Sequence, residues 1–179
     1  RGITLKDNAF FEVASGKTLT VAEPIVAEGG FFKRGAGTLA FGAVAVTGAD
    51  NTPFRVAAGA VRPTGTAGVG KLTTTFAEGA AIELNGRETD PSVSASGYYQ
   101  PFGLTVEGEK LQVNVVFPAG DELEGALNVV LATVPAGTAQ TLVGKMKVTT
   151  VGLARHAVHS LSVVPGGDGL EKIVLTLKR

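Results

Sequence analysis

The sequence predicts an all-β, elongated domain built from stacked strand-and-turn rungs, and three observations lead to this fold class. Gly accounts for 25 of the 179 residues, about twice its usual share of roughly 7%. Short stretches rich in Val, Thr and Leu alternate with Gly-containing turns, which is typical of brief strands. Similar turns also recur about every 20 residues in the first half of the chain, as in repeat proteins.

The repeat consists of a Gly-containing turn followed two or three positions later by an apolar residue. The turn glycines are Gly16, Gly37, Gly59 and Gly79, and the apolar residues after them are Leu19, Leu39, Val61 and Ile82. One rung of short strands cannot bury its inward face alone, whereas stacked rungs form a continuous core. We therefore predict a single-stranded parallel β-helix (a solenoid) with rungs of about 20 residues. The four apolar residues should lie in one inward column.

The chain divides into three segments that we expect to form one continuous domain. Residues 1–85 carry the rungs. Residues 86–103 are polar and turn-rich, which indicates an inserted loop or a junction. Residues 104–179 contain longer strands, and the run 127–134 is apolar enough to be buried on both faces.

The C-terminal residues 159–178 predict an antiparallel hairpin. Two strand-like runs, 159–164 and 170–177, flank the Gly-rich loop Pro165-Gly166-Gly167-Asp168-Gly169. Such a hairpin would cap the open edge of the last rung. No amphipathic helix is predicted, because the best stretch, 122–130, contains Gly125 and several β-branched residues.

Charge and cysteine content exclude several classes of function. Sixteen basic residues balance sixteen acidic ones, so nucleic acid and anionic membranes are not expected as partners. The chain has no Cys, which excludes disulfides and thiolate chemistry. No apolar run approaches membrane-spanning length, so direct membrane insertion is not expected. The chain begins Arg1-Gly2-Ile3 without a signal segment, and we interpret it as a piece of a longer polypeptide whose other domains are its partners.

Residues 29–41 read Gly-Gly-Phe-Phe-Lys-Arg-Gly-Ala-Gly-Thr-Leu-Ala-Phe, and this stretch resembles the autotransporter-associated β-strand repeat. Residues 104–179 resemble the tail that often follows such repeats in large bacterial surface proteins. The chain departs from the family in carrying one good repeat unit where many are usual. The resemblance implies a right-handed β-helix in a secreted or surface-displayed bacterial protein, and it supplies no catalytic residues. The matching positions are Gly29, Gly30, Lys33, Gly35, Gly37, Thr38 and Leu39.

Three aromatic residues, Tyr98, Tyr99 and Phe102, are the best candidates for a ligand-binding site. They lie in a turn-rich region, and exposed aromatic rings can stack on sugar rings. They would then form a glycan-binding platform. The competing interpretation, which we favour, is that these side chains plug the junction between the two halves of the fold.

Metal and cofactor sites are not predicted. His156 and His159 would share a face on a helix, but in a strand they point to opposite faces. Asp121, Glu122 and Glu124 could offer oxygen ligands to calcium, but a solvated turn explains them better. Catalysis by paired carboxylates would need two acids across one groove. The acids along the rungs are scattered: Asp7, Glu12, Glu23, Glu28, Asp50, Glu78, Glu83 and Asp90.

These observations favour a non-enzymatic structural or adhesive segment of a bacterial secreted or surface protein. It would act as a rigid spacer or as a contact surface for a glycan or a host or cell-surface protein. The first alternative is a carbohydrate-binding module attached to a polysaccharide-degrading enzyme. The second alternative is a polysaccharide lyase or glycosidase, which would require acids from neighbouring rungs to converge.

Overall fold

The computed structural model describes residues 2–41, 46–49, 52–63, 72–86 and 103–179. This part of the chain is all-β, with seventeen strands and one short helix. The first eleven strands are short: β1 (Ile3–Leu5), β2 (Ala9–Glu12), β3 (Thr18–Val21), β4 (Ile25–Ala27), β5 (Phe31–Arg34), β6 (Thr38–Phe41), β7 (Val46–Gly48), β8 (Thr52–Val56), β9 (Ala60–Pro63), β10 (Leu72–Phe76) and β11 (Ala81–Asn85). The remaining elements are β12 (Gly103–Val106), β13 (Leu111–Asp121), β14 (Leu127–Pro135), α1 (Ala139–Lys145), β15 (Met146–Leu153), β16 (Val158–Gly167) and β17 (Leu170–Lys178).

Three of the four sheets are parallel, and their strands recur in a fixed order along the chain. The first sheet has the order β1-β4-β7, the second β12-β10-β8-β5-β2, and the third β15-β13-β11-β9-β6-β3. Each strand from β1 to β6 therefore pairs with the strand three places later. We call β1–β3 the first rung, β4–β6 the second and β7–β9 the third. Among the described residues the sheets are separate and none is closed, so the fold established here is all-β with parallel sheets.

The third sheet contains the inward column predicted from the repeat. Its register places Leu19 beside Leu39, Leu39 beside Val61, and Val61 beside Ile82. The column then continues through Val113 and Val148. All of its members are buried except Leu19, which is 41% exposed because β3 is the terminal strand of its sheet. The predicted column is confirmed.

The second sheet has an inward column of its own, in which aromatic rings stack. Phe31 pairs with Phe54, and their ring centroids lie 4.2 Å apart with the planes 19° from parallel. In-register parallel strands lie about 4.8 Å apart, which suits stacked rings. Both side chains are fully buried. The next residue in the column, Thr74, is also buried, and its hydroxyl has no hydrogen-bond partner.

The turns between the second and third sheets depend on glycines with positive φ, which are Gly16, Gly59 and Gly79 in three of the turns. In the second rung Gly35, and not the repeat glycine Gly37, has the positive φ, of 71°. Gly37 is needed for a different reason. A Cβ at this position would lie 2.2 Å from the carbonyl oxygen of Ala14, so only glycine allows the two rungs to approach this closely.

The fourth sheet is antiparallel, with the order β14-β17-β16. It contains the predicted hairpin, β16 and β17, which is therefore present, with β14 as a third strand. The predicted five-residue loop is wrong, because the strands extend to Gly167 and Leu170. Only Asp168 and Gly169 form the turn, with φ of 51° and 73°, as a type I′ turn requires.

Helix α1 lies in a stretch for which the sequence predicts no amphipathic helix. Its seven residues include Gly144 and the β-branched Thr141 and Val143, which weaken any helical signal. Tertiary contacts stabilise it instead: Ala139 and Leu142 are buried in the core, and the Glu171 carboxylate accepts the backbone N–H of Ala139 at 3.3 Å. A helix this short is not stable by itself in water.

Candidate functional site

The outer face of the second sheet carries two phenylalanines and an arginine, of which Phe10 and Arg34 are exposed and Phe32 is half-buried. Successive side chains of a strand point to opposite faces, so buried Phe31 and Lys33 place Phe32 and Arg34 outside. Phe10 pairs with Phe32 in register, their ring centroids lie 5.1 Å apart, and Phe10 is 51% exposed. The guanidinium carbon of Arg34 lies 3.8 Å from the centroid of Phe10, a cation–π contact. We call Phe10, Phe32 and Arg34 the aromatic–arginine patch.

The same outer face continues into a polar region around Arg55. Arg55 aligns with Phe32 on one side and with Thr75 on the other. Its guanidinium forms a two-pronged ion pair with Glu107, in which Nη2 donates to Oε2 at 2.6 Å. This hydrogen bonding lowers the pKa of the Glu107 carboxyl and raises that of Arg55, so both groups stay charged near neutral pH. The charge of Arg55 is therefore locally balanced.

The outer face of the third sheet is polar and of mixed charge. Arg62 pairs with Glu83, and the Gln112 amide donates to the Thr149 hydroxyl at 2.7 Å. An open cleft of about 320 Å³ lies beside these residues, and its lining is Glu78, Gly79, Glu109, Lys110, Gln112 and Lys147. Such a cleft can offer hydrogen bonds to a polar ligand, but its opposite charges give no preference for an anion or a cation.

The most unusual polar group is Lys33, which is fully buried where β5 meets the turn to β6. Its ammonium donates to the carbonyl oxygens of Arg34 at 2.9 Å, Gly35 at 2.6 Å and Ala58 at 2.8 Å. Burial lowers the pKa of this ammonium. Because Ala58 belongs to the turn of the third rung, Lys33 ties the turns of two rungs together.

Tyr98, Tyr99 and Phe102 lie outside the described residues, so the glycan platform stays a prediction, as does the boundary of the 86–103 segment. His159 lies on β16 and His156 just before it, and both are exposed. Asp121 ends β13, and Glu122 and Glu124 follow it. Within the described ranges, no group of three or more potential ligands could hold a metal ion.

Two of the acids along the rungs lie beside basic residues. Glu12 is aligned with Arg34, and Glu83 is paired with Arg62. Asp50 and Asp90 fall outside the described residues. Glu78 and Glu109 line one cleft, and Asp121 and Glu122 line a small hollow elsewhere. Glu109 is not among the predicted candidates.

The aromatic–arginine patch was missed by the sequence analysis, although a signal for it existed. Phe10 and Phe32 are separated by one repeat step, like Leu39 and Val61. Because strands one repeat step apart pair in register, outward residues with this spacing lie side by side, as Phe10 and Phe32 do. The sequence marks Lys33 only as a match to the family pattern. Its burial was not predictable from hydrophobic periodicity, because a lysine is expected on an exposed face.

No helix in the described portion of the chain is long and apolar enough to cross a membrane. Comparison with known proteins gives no relative: no protein family matches the chain. No curated protein and no solved structure matches it either. The resemblance of residues 29–41 to the autotransporter-associated repeat therefore stays a prediction.

Proposed function

We propose that this chain is a non-enzymatic structural segment of a longer bacterial secreted or surface protein. In this proposal the parallel sheets are the faces of a right-handed, single-stranded β-helix of the autotransporter-associated type. The segment acts as a rigid spacer between other domains and presents its outer faces for contact. The observation that carries the proposal is the inward column from Leu19 to Val148, which stays in register through six strands.

Rigidity follows from how the rungs are joined. An interior strand such as β6 or β9 is hydrogen-bonded on both edges, and the inward residues Leu39 and Val61 are fully buried. Apolar burial stabilises the stack by roughly 25 cal/mol for each Å² removed from water. Lys33 adds a polar tie between consecutive turns. Such a stack would transmit force along its axis through the paired strands.

The contact role is supported by the aromatic–arginine patch. Phe10 exposes half of its surface on a flat sheet face, and aromatic and arginine side chains are the residues most often dominant in protein interfaces. A host or cell-surface protein is the partner class that fits this chemistry. The polar outer face of the third sheet would then remain in water.

Hydrogen exchange measured by mass spectrometry tests the spacer role. Amides of β5, β6, β8 and β9 should exchange only through global unfolding. All of them should therefore report the same free energy of opening. The terminal strand β3 serves as the internal control, because it should exchange faster by fraying. Independent opening of one interior rung under native conditions would contradict a rigid spacer.

A carbohydrate-binding module is the second candidate, and the exposed Phe10–Phe32 stack favours it. The two rings stack on each other, so the exposed part of Phe10 would contact a sugar chain mainly through its edge. The test is binding to a panel of acidic and neutral glycans, with Phe10→Ala, Phe32→Ala and the predicted-site variants Tyr98→Ala, Tyr99→Ala and Phe102→Ala. Loss of binding in one set and not the other locates the site. No binding by the unmodified chain would reject this candidate.

The same panel tests the third candidate, a lyase or glycosidase. After incubation, reducing ends and unsaturated sugars are measured against a boiled control. We expect no product. Product formation would contradict the non-enzymatic proposal, and Glu78→Gln and Glu109→Gln would then be the first variants to examine, because both residues line one cleft.

A further inference from the structure

The corner between the second and third sheets widens over three consecutive turns. The register aligns one residue before and one residue after each of these turns: Val56 and Ala60, Phe76 and Ala81, and Val106 and Gln112. Three residues (57–59) separate the aligned positions in the first turn, four (77–80) in the second and five (107–111) in the third. Because the aligned positions lie directly above one another, the extra residues must extend outward from the stack.

The open cleft of about 320 Å³ beside the third sheet lies at this corner. It is lined by the two longer turns and by two outward side chains of the strands next to them. The shorter turn, Ala57-Ala58-Gly59, has no polar side chain. Charged groups therefore occur where the turns lengthen. The lining residues are Glu78 and Gly79 from the second turn, Glu109 and Lys110 from the third, Gln112 on β13 and Lys147 on β15.

The longest turn is held at its start from two sides. The Glu107 carboxylate is paired with the Arg55 guanidinium, and the Lys145 ammonium donates to the carbonyl oxygen of Gly108 at 3.1 Å. Gly108 also packs against the preceding turn, because a Cβ at this position would lie 3.2 Å from the Cβ of Glu78. The two turns that line the cleft are therefore fixed by contacts outside it.

Four charged side chains line the cleft without neutralising one another. In the described ranges they form no ion pair and no side-chain hydrogen bond, whereas the charged residues on the two neighbouring outer faces form Arg–Glu pairs. Two carboxylates and two ammonium groups are thus available to a ligand, and their charges cancel. The four residues are Glu78, Glu109, Lys110 and Lys147.

Gln112 adds a hydrogen-bond acceptor that is already oriented. Its amide nitrogen donates to the Asn114 side-chain oxygen at 3.1 Å and to the Thr149 hydroxyl at 2.7 Å. Both N–H groups of the amide are used in this way, so the amide oxygen is the atom left for a ligand. The lining as a whole therefore presents both acceptors and donors.

A ligand that fits this lining carries no net charge and offers both donors and acceptors. Sugar hydroxyl groups meet this requirement, because a hydroxyl donates one hydrogen bond and can accept two. Among the described residues no apolar side chain lines the cleft, so an apolar ligand gains little by binding there. The volume lies at the lower end of the range of about 300–1,000 Å³ for ligand pockets. We propose that the cleft binds a neutral glycan through the hydroxyl groups at the edge of a sugar ring.

Titration of the unmodified chain with neutral trisaccharides, followed by proton–nitrogen correlation spectra, tests the proposal. The probes are maltotriose, cellotriose and triacetylchitotriose. At least one should cause saturable shifts of the amides of Gly79, Lys110 and Gln112. Its dissociation constant should change less than about twofold when the salt concentration is raised, because the ligand is uncharged.

Glu78→Ala and Glu109→Ala each remove a charged acceptor and should raise the dissociation constant at least about tenfold. Both residues are exposed in turns, and the spectra themselves check that the variants fold. Glu124→Ala is the matched control, because Glu124 is also an exposed turn glutamate and lies outside the cleft. This variant should bind like the unmodified chain.

Trigalacturonic acid and glycylglycine are the charged and zwitterionic comparison probes. Saturable shifts at the cleft with only these probes, or no saturable shift with any neutral trisaccharide, would overturn the proposal. Binding that survives both Glu78→Ala and Glu109→Ala, or that is lost in Phe10→Ala instead, would also overturn it. The inference goes beyond the proposed spacer role and uses none of the aromatic–arginine patch, so its failure would leave the spacer role untouched.

Discussion

The two ends of the parallel sheets contain similar residues in very different surroundings. Leu19 and Val148 are the first and last members of one inward column, yet Leu19 is 41% exposed and Val148 is 8% exposed. The difference comes from what lies beyond each terminal strand. At the Val148 end the antiparallel sheet and α1 extend the core, whereas at the Leu19 end the described chain adds nothing. Burial at an inward position is thus set by its neighbours in the stack and not by alternation alone.

Deletion of the hairpin β16–β17, which covers the Val148 end of the sheets, should have the largest effect. A chain lacking residues 158–179 loses β16 and β17, which exposes Leu131, Ala132 and Val134. An apolar surface with unpaired edges promotes aggregation, so we expect precipitation or large soluble aggregates by light scattering. The matched deletion of residues 2–22 removes the first rung and should leave a folded, soluble chain, because the second rung then takes its place at the end of the sheets. A soluble monomer lacking residues 158–179 would contradict the capping role of the hairpin.

Alanine substitutions in the inward column of the third sheet compare an interior position with the terminal one through the free energy of unfolding. Leu39→Ala removes a fully buried side chain and should lower the free energy of unfolding by about 2–5 kcal/mol. Leu19→Ala should lower it by less than about 1 kcal/mol in the monomer, because its side chain is already partly in water. Urea denaturation at a concentration where the chain is monomeric measures both. Equal losses would mean that Leu19 is covered in solution.

Lys33→Met tests the tie between the turns of the second and third rungs. The variant keeps most of the side-chain volume but removes the donor to three carbonyl groups. We expect a loss of about 1–3 kcal/mol in the free energy of unfolding, as for buried polar groups left without a partner. Lys6→Met, at an exposed position of the first rung, is the control and should change stability by less than about 0.5 kcal/mol. A neutral Lys33→Met would show that water replaces the ammonium.

The stability contributed by Lys33 should also depend on pH. Burial lowers its pKa in the folded chain below the unfolded value near 10.5. Between the folded and the unfolded pKa the unfolded chain binds more protons, so the free energy of unfolding rises with pH in this window. The difference between the unmodified chain and Lys33→Met should therefore increase as the pH approaches 10.5. A difference that falls over this window would contradict the direction of the pKa shift.

Chelation of divalent ions should have the smallest effect. Asp121, Glu122 and His156 line a small hollow beside the end of β13. The described residues contain no group of three or more side chains that could hold a metal ion. The melting temperature should be the same with and without a chelator. A substantial decrease would assign a metal to this end and would explain its stability differently.

Part of this fold could be predicted from sequence because alternation and period act together. A slip of one residue would turn every inward side chain outward, so the pattern around Leu39, Val61 and Ile82 specifies both burial and register. The hairpin was predictable from its turn residues, and Asp168-Gly169 supplies the two positive φ angles. These features depend on residues that are close in the chain or that repeat at a fixed spacing.

The remaining features depend on contacts that no local pattern encodes. Helix α1 forms where Glu171 and the core hold a sequence of low helical propensity. The positive φ of Gly35 and the close approach of Gly37 to Ala14 belong to the packing of the first two rungs, and the repeat spacing does not distinguish the two glycines. The aromatic–arginine patch becomes visible only when outward residues of two rungs are aligned.

The in-register pairing of the rungs makes the length of the molecule a discrete quantity. Each rung adds one strand spacing, about 4.8 Å, because equivalent residues lie directly above one another. Duplication of a whole interior rung would therefore lengthen the chain by this fixed step and leave both ends chemically unchanged. Insertion of a few residues inside a strand would instead misalign every column that follows. Such a protein can change its reach during evolution through whole-rung duplication, and point changes on its outer faces can alter contacts independently of reach.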